Sequence, residues 1–151
     1  MNTIAVHYKE FPLTVDHSLT LEQLLSAAGY EDPMFARMIE PYVKELPTSA
    51  NVQHKKAVLV MIEGFGLNKP EHAIELLEQL RMRCPTEREC FSFLAAYPED
   101  CSQYEIHAVG HKEIHRCLGA WTYKGEKHLF GVIWLNGPVV ANNACLLAMR
   151  K

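Results

Sequence analysis

A chain of 151 residues, 48% hydrophobic and 22% charged, has enough apolar mass to bury one real core without disulfide or metal staples. Its formal net charge of −3 argues against a nucleic-acid binder held mainly by phosphate contacts. The short basic spots, "HKK" at 54 to 56 and the Arg81, Arg83, Arg88 group, fit a solvated surface.

Charged residues interrupt the N-terminal "MNTIAVHYKEFPLTVD" where a signal peptide needs an apolar run. No apolar stretch reaches the roughly 18 residues of a membrane span. These features predict a cytoplasmic protein with no membrane partner. Five cysteines with no C-x-x-C pair cannot be fully paired within one chain, so reduced, mostly buried thiols are expected.

"TIAVHY" and "FPLTVD" predict two short strands joined through Lys9–Glu10. "TLEQLLSAAG" predicts a helix: Thr20 and Gln23 make a capping box, Leu21, Leu24, Leu25 and Ala28 share a face, and Gly29 stops it. Asp32–Pro33 starts another helix, with a break at Pro41. The polar "PTSANVQHKK", 47 to 56, fits a linker between an N-terminal arm, 1 to 46, and a main body, 57 to 151, within one compact domain.

"AVLVMI", 57 to 62, is a continuous apolar run of strand length, which predicts a central strand covered on both faces. Asn68 with Glu71 and Thr86 with Glu89 are two more capping boxes. The first precedes the stripe Ala73, Ile74, Leu77, Leu80, and the second precedes Phe91, Leu94, Tyr97, with Pro98 as the stop. "YEIHAV", "HRCLGAWTY", "KHLFGVIWL" and "ACLLAM" then read as strands, and "YKGEKH" as a hairpin tip. The expected fold is α+β: two consecutive helices packed on a mainly antiparallel sheet, with an N-terminal strand and helix arm.

Chemistry-bearing residues are few. His107, His111 and His115 recur at every fourth position. On a helix they would lie about 6 Å apart and two could share a metal. On a strand they lie about 13 Å apart, out of reach of one ion unless the chain turns at Gly110. Alternation in "EIHAV" favours the strand, with partly exposed histidines. A turn at Gly110 would allow a metal site that Cys117, Glu105 or Glu113 could join. His115 and Cys117 lie about 7 Å apart on a strand, too far for a direct thiolate–imidazole pair. Cys145, with apolar followers, fits the core. Toward the C-terminus, Trp121, Tyr123 and Trp134, followed by Asn136, Asn142 and Asn143, can build a rim for a polar small molecule or a protein. Filling of the core by both tryptophans is the competing expectation.

The order "PEHAIELLEQLRMRCPTERECFSFLAAYPED", "YEIHAVG", a tryptophan strand and "ACLLAMRK", with "FPLTVDHSLTLEQLLSAAGY" before it, resembles a group of uncharacterised bacterial hypothetical proteins. That order is similar to C-type-lectin-like and formylglycine-generating-enzyme-like architecture. The resemblance implies that 144 to 150 pairs with 57 to 62. The chain lacks the lectin calcium motifs and an identifiable formylglycine-enzyme cysteine pair, so no ligand or activity comes with it.

The function expected is a small intracellular binding or interaction module that needs no cofactor. The alternative is a metal- or thiol-dependent enzyme built on His107, His111, His115 and Cys117. A homodimer formed through the N-terminal arm is a further expectation.

Overall fold

Ala57, Val58, Leu59 and Val60 are all buried, and alternate residues enter different cores. A strand covered on both faces must lie inside a sheet, and this one does. The computed structural model describes residues 6–39, 46–62, 70–109, 116–123, 126–133 and 144–151. Their order is β1 (Val6–Asp16), α1 (Leu21–Ala27), α2 (Pro33–Ile39), β2 (Val52–Ile62), α3 (Pro70–Gln79), β3 (Met82–Arg83), α4 (Glu87–Ala96), α5 (Pro98–Gln103), β4 (Glu105–Val109), β5 (Arg116–Tyr123), β6 (Glu126–Ile133) and β7 (Ala144–Arg150). The fold is α+β.

The strands form one sheet in the order β1-β2-β7-β4-β5-β6, and the two-residue β3 also pairs with β7. Every described pairing is antiparallel except β4 with β7. β7 lies against β2 in the register Ala57↔Met149 to Met61↔Cys145, so the expected closure of the last strand on the first body strand is present. The β5–β6 hairpin closes at Tyr123↔Glu126.

The larger core gathers Phe11, Leu13 and Val15 of β1, Leu24 and Leu25 of α1, and Phe91, Phe93 and Leu94 of α4 on one sheet face. On the opposite face Ala73, Ile74 and Leu77 of α3 cover Val58, Val60, Leu146 and Ala148. Strand β1 is therefore not an appendage: its alternating apolar residues enter the main core of their own chain.

Three local expectations change. The N-terminal region forms one strand of 11 residues rather than two, because every residue from Val6 to Asp16 has a partner on β2. Val52–Lys56 of the expected linker belong to that ladder, since pairing with β1 supplies the backbone hydrogen bonds their polar side chains do not advertise. Pro98 follows the end of α4 and also begins α5, where its missing N–H costs nothing.

The capping boxes at Thr20–Gln23 and Thr86–Glu89 are both formed. Asn68 and Pro41 lie outside the described residues. Helix α1 ends in a Schellman turn: Gly29 has φ 87°, Tyr30 N–H donates to Leu25 O at 2.8 Å and Gly29 N–H donates to Ser26 O at 3.0 Å. Lys127 Nζ reaches across from β6 to donate to Ala28 O at 2.6 Å, and lies 5.6 Å from the Tyr30 ring centre. A positive charge at a helix C-terminus is favourable. Gly29→Ala is expected to cost about 1–2 kcal/mol, from the left-handed backbone and the Cβ directed at the Lys127 ammonium. A urea titration measures it, and an unchanged midpoint would contradict the cap.

As the first strand in the sheet order, β1 needs protection from pairing with other chains. Pro12 removes a donor from its middle, the Tyr97 hydroxyl donates to the Pro12 carbonyl, and Lys9 places a charge on the strand.

Candidate functional site

His107 lies on β4, an interior strand, opposite Leu146 of β7 and Gly119 of β5. The strand expectation for "EIHAV" holds, but the histidine is 4% exposed rather than partly exposed. The reason is position: neighbouring strands flank β4 on both sides, and Leu146 beside His107 belongs to the core under α3. Glu105, two residues back on the same face, brings Oε1 to 3.4 Å from His107 Nε2. Burial pushes the imidazole below its ordinary pKa, and the Glu105 carboxylate opposes that shift without cancelling it. Burial thus favours the neutral form of His107, the form in which an imidazole can ligate a metal.

His111, His115 and Gly110 lie outside the described residues. Among the described residues no group of three His, Cys, Asp or Glu side chains could hold a metal. The sheet does create one adjacency that spacing along the chain misses. Cys117 pairs with Val109, which puts position 117 one diagonal step from His107 across the β4–β5 ladder, about 7–8 Å between Cα atoms. Spacing along a single strand offers His115 as the neighbour of Cys117, and a turn at Gly110 is the route by which Cys117 could join His107.

Of the expected rim, Trp121 is opposite His128 and Tyr123 is opposite Glu126 on the β5–β6 hairpin at the far side of the sheet from β1. Trp134, Asn136, Asn142 and Asn143 lie outside the described residues. Their flanks are fixed, however: β6 ends at Ile133 opposite Arg116, and β7 begins at Ala144 opposite Glu105. β7 is parallel to β4, β4 antiparallel to β5 and β5 antiparallel to β6, so β6 and β7 run in the same direction.

No family model, curated protein or solved structure matches this chain.

Among the described residues, two charged groups that the sequence offers only as a helix cap and as part of a basic spot are the most fully bonded. Glu89, at the third position of α4, is 1% exposed. Its Oε1 accepts from Arg83 at 2.7 Å and from the Thr86 N–H at 2.8 Å. Its Oε2 accepts from Arg83 at 2.7 Å and from Lys55 at 2.9 Å. Four donors occupy the four lone-pair directions of the carboxylate. Burial alone would raise the Glu89 pKa, but the bonds from Arg83, Thr86 and Lys55 outweigh it and hold the carboxyl at about 2. A saturated carboxylate of that acidity is no general base at neutral pH.

Arg88, one residue before it, is 5% exposed. Its guanidinium donates to the backbone carbonyls of Asp16 at 3.3 Å, Leu19 at 2.5 Å and Pro47 at 3.0 Å. The basic spots are thus only partly solvated: Arg81, His54 and Lys56 are exposed, whereas Arg88, Arg83 and Lys55 hold the fold together.

Of the five thiols, the four at Cys84, Cys90, Cys101 and Cys145 sit in or beside the core. Cys90, Cys101 and Cys145 are buried and Cys84 is half-buried. Burial and the nearby Asp100 push Cys101 up to about 12, Lys127 opposing, and burial pushes Cys145 up to about 11. Burial and Glu78 also raise Cys84, against Arg83. Only the thiolate is nucleophilic. Cys101 and Cys145 are therefore expected to resist an alkylating reagent at pH 7.5 in the native protein and to react promptly in denaturant. Peptide mapping resolves each position, and fast native labelling of either would refute the burial argument.

Proposed function

We propose that this chain is a small binding or interaction module whose contact rim is formed by Trp121, Tyr123, Trp134, Asn136, Asn142 and Asn143. The observation that carries the reading is the direction of β6 and β7. Two parallel strands with β4 and β5 between them leave Ile133 at the Arg116 end of the sheet and Ala144 at the Glu105 end, and Trp134, Asn136, Asn142 and Asn143 fall between those two points in the sequence. Connections of this kind, held at both ends by a rigid sheet, are where proteins place recognition residues. Tryptophan and asparagine supply apolar area together with fixed hydrogen-bonding groups. Among the described residues the charged groups with the most hydrogen bonds, Glu89 and Arg88, are committed to holding the fold, which fits the same reading.

A metal- or thiol-dependent enzyme on His107, His111, His115 and Cys117 is the second reading. It is favoured by the Glu105 carboxylate 3.4 Å from a buried imidazole, since a carboxylate that takes one ring nitrogen of a histidine can aim the other at a metal.

Two measurements separate them. A pull-down with the wild-type chain and with a Trp134→Ala, Asn136→Ala double variant, both checked for folding by circular dichroism, is expected to lose specific partners in the variant. Retention of every partner would overturn the module reading. Metal content on tag-free protein, purified without a chelator or nickel column, is expected to be far below one ion per chain. About one zinc or similar ion per chain, retained through gel filtration, would put the enzyme reading first.

A further inference from the structure

We draw no further inference here: the strongest candidate, the buried His107–Glu105 pair on β4 on the sheet face covered by α3, carries nothing because it belongs to the site already described.

Discussion

Replacing Glu89 by alanine is expected to remove about 2–4 kcal/mol of folding free energy, lowering the melting temperature by roughly 5–15 °C for a domain of this size. The carboxylate is a junction of three separate requirements. It closes the capping box of α4 through the Thr86 N–H, it receives both arms of the Arg83 fork from β3, and it receives Lys55 from β2. Removing it leaves two cations facing each other beside the core. Arg83 and Lys55 are about one-third exposed, so water recovers part of their solvation and the loss stays below that of a fully buried pair.

Glu89→Gln keeps the shape and an acceptor for Thr86 but removes the charge, so it should lie between wild type and alanine. The acid limb gives an independent check. With a folded pKa of about 2 against an ordinary 4.5, Glu89 binds its proton more readily in the unfolded chain. Its contribution is complete above pH 4.5 and is lost as pH falls from 4.5 toward 2, about 3 kcal/mol in all. Urea unfolding of the wild type should weaken across that range, and the offset to Glu89→Gln should narrow with it. An offset constant from pH 6 to pH 3 would show that the carboxylate is not held in its charged form.

Arg88→Ala is the second large effect expected, about 3–5 kcal/mol. The guanidinium joins the end of β1, the turn before α1 and the segment at Pro47 through three carbonyls. A hydrogen bond to a charged donor contributes about 1.5–3 kcal/mol, and each buried carbonyl left without a donor costs about 1–3 kcal/mol. The sum is discounted because water can enter behind a truncated side chain. Arg88→Lys should restore only part of the loss, since one ammonium cannot reproduce the planar fork that reaches three acceptors. Chemical denaturation of both variants tests this. Equal stability of Arg88→Lys and wild type would mean that charge, not geometry, is what matters there.

These two residues mark where reading from sequence stops. Glu89 is legible as the third residue of a capping box, and the box forms. Nothing in the spacing shows that Lys55, 34 residues earlier, meets the same carboxylate, because a sheet rather than the local chain brings them together. Arg88 sits among residues that look like a solvated basic group, and only the packing of α4 against β1 and α1 makes it the donor for two loops. Its neighbours show the same limit: the apolar spacing predicts one stripe on α4, yet all seven residues from Arg88 to Leu94 are buried.

The candidate site divides in the same way. Alternation in "EIHAV" was enough to place His107 on a strand, since a period of two is a local property. Its burial and the diagonal step to position 117 depend on which strands flank β4, and no short-range pattern encodes sheet order.

What the sequence determined by itself is what backbone sterics and short-range hydrogen bonds fix. That covers the α1 stop at Gly29, the two capped helix starts, the doubly covered strand at Ala57–Val60 and the hairpin at Tyr123–Glu126. Tertiary structure alone decided that β1 joins the sheet as one strand and that β4 runs parallel to β7. It also decided that Glu89 and Arg88 are structural. Each of these depends on groups far apart in the chain finding partners, and a buried charge or an unpaired strand tolerates only arrangements that supply them.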